Sequence, residues 1–182
     1  MKVIIGAGNT SFNGWISTNK EDLDLLEKES FKKFFHEKKA DALFAEHVWE
    51  HLTFAEGKIA ARNCYDFLED GGYLRVAVPD RNFRNADYQK LVQVGGPGPK
   101  EHPAFSHKIL YDVSVFTKLF KECGFEVNLL EHCDDMGTFH YNYWNPDDGR
   151  VGRSFRFDTR NSKSKLGMVS LILDAHKPII IS

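Results

Sequence analysis

Short apolar runs alternate along the chain with stretches in which apolar residues recur at helical spacing. Strand-like runs lie at residues 2–5, 15–18, 23–26, 41–45, 73–78, 126–130 and 169–174. Helical spacing occurs at 31–35, 59–68 and 115–123. Thr53 with Glu56 forms a capping-box pair before the second helix, and Asp112 is an N-cap candidate for the third. This alternation predicts an α/β fold with a doubly wound, mainly parallel sheet.

Glycine and proline mark the ends of several elements. Asp70-Gly71-Gly72 is expected to end the second helix, and Pro79-Asp80 to end the strand that follows it, because proline has no N–H for a central ladder. Residues 81–107 and 134–166 show little periodicity. The 182 residues fit a single domain, 1–182, with these two segments as insertions on the substrate side.

The second insertion carries a concentration of aromatic and cationic side chains. The sequence His-Tyr-Asn-Tyr-Trp occupies 140–144. Three arginines follow it: Arg150, Arg153 and Arg156. Such groups can line a pocket or cover one side of a sheet, and we favour substrate recognition here and in 81–107.

The first strand runs into Gly6-Ala7-Gly8, where glycine permits a positive φ and a close backbone approach. Ligands of doubly wound sheets bind at the carboxyl ends of the strands, which places Gly6 to Thr10, Glu46-His47 and Asp80 on one rim. Only residues 9–14 separate Gly8 from Trp15, whereas a parallel crossover normally needs about a dozen residues or more. We therefore expect the helix that normally connects the first two strands to be reduced or absent.

Composition excludes several classes of partner. Lys and Arg number 24 against 26 Asp and Glu, so no charge excess favours nucleic acid or an anionic membrane surface. No apolar run approaches the ~20 residues of a spanning helix. The odd number of cysteines (Cys64, Cys123 and Cys133), without C-x-x-C spacing, suits reduced packing residues and predicts a cytoplasmic protein. Homo-oligomerisation stays open.

Taken together, the motifs resemble the class I S-adenosylmethionine-dependent methyltransferases, especially short bacterial predicted members with Gly-Trp-Ile opening the second strand. The matching segments are residues 3–8, 14–16, 41–52, 68–80, 123–125 and 171–178. The resemblance implies a seven-stranded Rossmann-like sheet whose last strand, around 169–174, inserts antiparallel between the two before it. It also implies S-adenosylmethionine as the cofactor, lying over the first strand, and a small-molecule or glycan acceptor.

The resemblance also implies roles for particular residues. Gly6, Ala7 and Gly8 would face the methionine portion of the cofactor, and Glu46-His47 would border its adenosyl and methionine groups. Asn19 would take the ribose-binding place, which the family usually gives to an acid. An amide oxygen still accepts a hydrogen bond there but lacks the charge that strengthens it.

Methyl transfer from a sulfonium needs few catalytic groups, because the methyl is already activated and the protein mainly aligns the reactants. Where the acceptor must lose a proton, His107 and Asp80 are the candidate bases. Their alternative roles are a loop-fixing histidine and a turn-forming aspartate. No metal is expected for this activity.

Two other functions stay open. His47, Glu50 and His51 match H-x-x-E-H, which on one helix and with a third ligand would bind zinc in a hydrolase. The fold could also persist as a binding or scaffold module without methyl transfer, given the short first crossover and Asn19. A nicotinamide dehydrogenase is disfavoured because position 11 of an expected G-x-G-x-x-G is Ser11.

Overall fold

Within residues 1–179, which the computed structural model describes, seven strands form a single sheet. The strands are β1 Lys2–Ile5, β2 Trp15–Thr18, β3 Ala40–Glu46, β4 Leu68–Pro79, β5 Glu126–Cys133, β6 Phe139–Tyr141 and β7 Ser170–His176. Their order across the sheet is β2-β1-β3-β4-β7-β5-β6. The sheet places β1 and β3, which carry the predicted site residues, side by side near its middle.

Strand directions agree with the predicted fold class. The pairs β1–β2, β1–β3 and β3–β4 are parallel, while β7 is antiparallel to both β4 and β5. Only β6 and β7 run against the other five strands, since β6 pairs antiparallel with β5. The mainly parallel seven-stranded sheet is confirmed, and so is the antiparallel insertion of the last strand between 73–78 and 126–130.

The α-helices are α1 Lys28–Phe35, α2 Phe54–Phe67, α3 Ala86–Val92 and α4 Val113–Lys121. Three of them, α1, α2 and α4, pack against one face of the sheet, whereas α3 packs in a separate cluster with Cys133 and Val169. Side chains of α1, α2 and α4 share one core with Val3 and Ile5, whereas Ile4 packs on the opposite face with Trp144 and Val151. This alternation follows from the two-residue period of a strand. No helix in the described part of the chain combines the length and apolarity needed to cross a membrane.

Both predicted helix starts are confirmed. The Thr53 hydroxyl accepts from the Glu56 N–H at 3.2 Å, and the Glu56 carboxylate accepts from the Thr53 N–H at 2.7 Å, which completes the capping box of α2. The Asp112 carboxylate accepts from the Val115 N–H at 2.9 Å at the start of α4. These bonds satisfy backbone donors that a helix leaves free in its first turn.

The strand predicted at 23–26 is wrong. Leu23 and Asp24 are irregular, and Leu25 and Leu26 lie in a turn that the Asp24 carboxylate closes by accepting from the Leu26 N–H at 3.0 Å. Leu23 and Leu25 are buried, so their apolar character serves packing rather than strand pairing. The seventh strand is instead β6, in a segment for which the sequence predicted no strand.

The predicted end of α2 is also wrong. The helix ends at Phe67, and β4 begins at Leu68 and includes Asp70-Gly71-Gly72. Gly71, with φ of 81°, lies in this irregular first part of β4, where the pairing with β3 shifts register between Ala40 and Ala42. The segment 81–107, for which no helix was expected, contains α3.

The prediction for the first crossover is confirmed, because residues 6–14 connect β1 to β2 without a helix. Gly6 and Gly8 take φ values of 60° and 53°, which turn the chain tightly after β1. The Ala7 N–H donates to the Thr18 carbonyl at 2.9 Å. The Asn19 amide oxygen accepts from the Gly8 N–H at 2.9 Å, so the end of β2 fixes the glycine turn.

A buried ion pair joins the sheet to the segment that covers its second face. Two guanidinium nitrogens of Arg75 in β4 donate to the Asp174 carboxylate in β7 at 2.7 and 2.8 Å. The third nitrogen donates to the carbonyls of Asn145 and Gly149. Arg75 is 2% and Asp174 8% exposed, so both charges depend on these partners.

We expect Asp174→Ala to lower the free energy of unfolding by about 3–5 kcal/mol, because it leaves the Arg75 guanidinium buried without its counter-charge. Urea denaturation followed by circular dichroism measures this loss. Asp66→Ala is the control, since Asp66 pairs with Lys28 on the exposed surface and such pairs contribute less than about 1 kcal/mol. Equal losses in the two variants would contradict the prediction.

Candidate functional site

A cavity of about 430 Å³ opens at the carboxyl edge of β1 and β3. The two strands are parallel and pair Ile4 with Phe44, so the turn after β1 and the corner after β3 reach the same edge. Gly6 to Thr10 and Glu46-His47 all line this cavity. The predicted crevice between the glycine turn and the corner at 46 and 47 is therefore present.

A second cavity of about 360 Å³ adjoins the first. The two share Ile5, Gly6, His47 and His51 in their linings. The second lining is mainly apolar and includes Leu23, Leu25, Leu26, Val48 and Leu52. The site thus consists of a polar and an apolar compartment that meet beside Gly6.

Two of the residues predicted to contact the cofactor also hold the backbone of the site. Asn19 lies outside the linings of both cavities and fixes the glycine turn through Gly8. The Glu46 carboxylate lines the first cavity and accepts from the backbone N–H groups of Gly152 and Arg153 at 3.1 and 2.7 Å. Glu46 therefore fastens the segment 134–166 to the end of β3.

His47 occupies the corner between the two cavities with an unusual backbone conformation. Its φ is 56°, in the left-handed region that β-carbon-bearing residues rarely adopt. Its Nε2 contacts the Ser170 hydroxyl at 2.8 Å. Burial, followed by the charge of Arg153, lowers the pKa of His47 well below its usual value, so its ring is neutral.

The two candidate bases lie in different environments. His107 lines the first cavity, and burial lowers its pKa. Asp80 is fully buried outside the linings of both cavities, and its oxygens accept from the backbone N–H groups of Asn82 and Cys133 at 2.8 and 2.7 Å. Burial raises the pKa of Asp80 to about 6. The contacts of Asp80 join the ends of β4 and β5, and its catalytic role stays a prediction.

Glu50 lines the first cavity, but not on the helix that the H-x-x-E-H pattern predicts. Residues 47–51 do not form one helix, since only Trp49–His51 make a short 3₁₀ helix and His47 precedes it with positive φ. The single helix that a zinc hydrolase of this type requires is therefore absent at residues 47–51. Glu50 is fully buried, and its burial raises the pKa of its carboxyl to about 8.

Sequence reasoning missed the part that Arg160 and His102 play in the cavity. Both line it together with Arg153, although they come from segments distant from the glycine turn. Neither belongs to a recognisable motif, so only the folded chain shows that they meet. The two insertions, 81–107 and 134–166, both contribute to the lining.

Comparisons with known proteins concern the fold. No protein-family model and no curated protein matches the sequence. Among solved structures, a SAM-dependent methyltransferase from Archaeoglobus fulgidus matches with a TM-score of 0.55 at 14% identity, covering 96% of this chain and 84% of that one. One from Methanosarcina mazei matches with a TM-score of 0.55 at 11% identity, covering 98% and 92%.

An O-methyltransferase family protein from Burkholderia thailandensis matches with a TM-score of 0.50 at 10% identity. The alignment covers 91% of this chain but only 36% of that protein, so the chain spans about a third of its length. At such low sequence identity, structural similarity shows a shared fold only. The chain has the fold of the class I S-adenosylmethionine-dependent methyltransferases.

Proposed function

We propose that the protein binds S-adenosylmethionine in the two adjoining cavities and transfers its methyl group to a small-molecule or glycan acceptor. The observation that carries this proposal is the junction of a polar and an apolar cavity at Gly6, at the carboxyl edge of β1 and β3. A nucleoside joined to an amino acid needs such a pair of compartments. The shared fold supports the same cofactor.

The residues present fit the two ends of the cofactor. The apolar cavity of Leu23, Leu25, Leu26, Val48 and Leu52 suits an adenine ring. The polar cavity offers the Arg153 guanidinium to the methionine carboxylate and the Glu46 carboxylate to its ammonium group. Asn19 lines neither cavity, so its proposed part at the ribose end is indirect: its amide oxygen holds the Gly8 N–H and thereby fixes the glycine turn.

The bound cofactor supplies an activated methyl group. The chain's own contribution is to hold the acceptor beside it and to exclude water. Leu91, Val92 and Ala104 from the first insertion line the polar cavity together with Met168, which lies just before β7, and we propose that an acceptor enters beside them. Of the two candidate bases, His107 is the one whose ring lines this space.

Calorimetric titration with S-adenosylmethionine and S-adenosylhomocysteine tests the proposal directly. We expect each to bind with one site per chain. A chain that binds neither supports the alternative of a scaffold module with a methyltransferase fold. Binding without methyl transfer to any acceptor in a broad small-molecule screen would support a cofactor-binding module instead.

We expect Gly6→Ala to weaken S-adenosylhomocysteine binding about tenfold or more. A Cβ at this position would lie 2.8 Å from the Val48 side chain, and the φ of 60° is strained for alanine. Strain of about 1–3 kcal/mol would displace the turn between the cavities, and 1.4 kcal/mol corresponds to about a tenfold change in affinity.

Gly14→Ala is the matched control for this variant. Gly14 also has a positive φ of 78°, but apart from its chain neighbours no described residue has an atom within 4 Å of its Cβ position, and it lines neither of the two cavities. Its replacement imposes backbone strain without touching the site. Equal affinities in the two variants would count against the position proposed for the cofactor.

We expect Arg153→Ala to weaken S-adenosylhomocysteine binding about tenfold, since a hydrogen bond to a charged group contributes about 1.5–3 kcal/mol. The backbone N–H that holds Glu46 remains in this variant, whereas the half-exposed ion pair at 3.7 Å between the Arg153 guanidinium and Glu46 is lost. Binding of 5′-methylthioadenosine, which lacks the carboxylate, should not change. Calorimetry with both ligands measures the difference.

Arg150→Ala is the control, because the Arg150 guanidinium packs over the Phe157 ring at 4.6 Å outside both cavities. It should leave both affinities unaltered. If Arg153→Ala weakened the two ligands equally, Arg153 would support the cavity wall rather than contact the carboxylate.

A further inference from the structure

Three histidines surround the buried Glu50 carboxylate at one end of the polar cavity. Ligand atoms of Glu50, His51 and His107 lie within 4.8 Å of one another. The His107 Nε2 is 3.9 Å and the His47 Nδ1 3.3 Å from the same Glu50 oxygen. We propose that Glu50, His51 and His107, with His47 beside them, bind a divalent first-row transition-metal ion such as Zn²⁺.

Hydrogen bonds on the far side of each ring fix the tautomers. The His107 Nδ1 is 2.9 Å from the Val92 carbonyl, which can only accept, so this nitrogen carries the proton. The Ser106 hydroxyl donates to the Pro103 carbonyl and therefore accepts from the His51 Nδ1 at 2.7 Å. In both rings Nε2 is left with a free lone pair.

The tautomer of His47 is fixed in the same way. The Ser170 hydroxyl donates to the Arg153 carbonyl at 2.8 Å, so it accepts from the His47 Nε2. The His47 Nδ1 therefore turns a lone pair towards Glu50. Backbone and hydroxyl partners that orient the second nitrogen are the usual outer shell of histidine metal ligands.

The surroundings of Glu50 support a cation site independently of the histidine tautomers. Its side chain is 1% exposed, and neither of its oxygens has a hydrogen-bond partner among the described residues. A buried carboxyl group that no protein donor reaches, surrounded by imidazole lone pairs, needs either a proton or a cation among these atoms. A divalent cation satisfies the carboxylate oxygens and the imidazole nitrogens together, whereas a single proton satisfies only one pair of them.

The donor set indicates the class of ion. Imidazole nitrogens with one carboxylate suit Zn²⁺, Co²⁺, Fe²⁺ or Mn²⁺, whereas Mg²⁺ and Ca²⁺ prefer oxygen ligands. Ligand distances of about 2.0–2.2 Å require the side chains to close by small rotations from their present spacing. All four residues line the polar cavity, so a water or an acceptor oxygen could take the remaining coordination position.

The ligands come from two places in the chain. Glu50 and His51 lie on the short 3₁₀ helix, and His107 follows the 3₁₀ helix Pro103–Ser106 at the end of the first insertion. The Lys108 N–H donates to the Glu50 carbonyl at 2.8 Å, which holds the two places together. The site thus differs from a zinc hydrolase site formed on one helix.

Metal-free protein, prepared with a chelator that is then removed, is titrated with Co²⁺ and followed by its visible absorption. We expect one ion per chain, displaced by Zn²⁺, and one equivalent of Zn²⁺ by elemental analysis after reconstitution. Glu50→Gln should weaken Co²⁺ binding about 100-fold or more, since even outer-shell changes cost about 10–100-fold. His107→Ala should do the same.

Glu50→Gln also keeps the proposal testable if His107→Ala fails to fold, because it removes a buried charge and preserves the shape of the side chain. His140→Ala is the control, since His140 pairs with Asp134 outside the polar cavity and should bind metal as the parent does. Absence of Co²⁺ and Zn²⁺ binding, or binding unchanged by Glu50→Gln, would overturn the site. Glu50 would then share a proton with the imidazoles.

Metal binding uses the one free lone pair of His107, so in the metal-bound protein His107 is a ligand and not the base for methyl transfer. The metal site itself does not depend on methyl transfer. Calorimetry with S-adenosylhomocysteine on the same metal-free and reconstituted samples separates the two proposals. Cofactor binding without metal binding overturns only the metal site. Metal binding without cofactor binding overturns only the proposed function.

Discussion

The parallel pairing of β1 with β3 is the constraint on which the site depends. Because both strands run in the same direction and pair Ile4 with Phe44, the turn at Gly6 and the corner at His47 emerge at one edge of the sheet. An antiparallel pairing would place them at opposite edges of the sheet, and a register shifted by one residue would turn the paired side chains to opposite faces. This register brings the glycine turn and the corner at Glu46 and His47 to the two cavities.

The short first crossover changes how this edge is enclosed. In place of a helix, residues 6–14 form a turn fixed by Asn19, and the second face of the sheet is covered by the segment 134–166. Glu46 fastens that segment at Gly152 and Arg153, while Arg75 fastens it at Asn145 and Gly149. A carboxylate at the site and a guanidinium in the sheet therefore set the position of one wall of the polar cavity.

Elements governed by local chemistry could be predicted from the sequence. The capping bonds of Thr53 and Asp112 depend on neighbours within three residues, and both helix starts are correct. The run at 23–26 has the apolar content of a strand, but the Asp24 carboxylate closes a turn there. Leu23 and Leu25 are buried in the core without pairing in the sheet. The strand β6 has only three residues and depends on β5 for its pairing, so no local pattern reveals it.

The same distinction holds for the site. Gly6, Gly8, Glu46 and His47 stand at the ends of predictable strands, and the rule for parallel sheets is enough to bring them together. His107 was singled out as a base, yet nothing in its surroundings along the chain indicates that its ring faces Glu50. Their proximity depends on the fold of the first insertion, which the sequence pattern did not describe.

Asp174 and Glu50 are both buried acidic residues, but they differ in their hydrogen-bond partners. Asp174 accepts two hydrogen bonds from Arg75 and thereby joins two strands, so its burial is accounted for by its partner. Glu50 is buried at least as deeply, but its oxygens have no hydrogen-bond partner in the part of the chain that the structure describes. Within the described residues, Asp80, Glu131 and Asp174 each accept from a donor and Glu50 does not, and the proposed metal ion accounts for this difference.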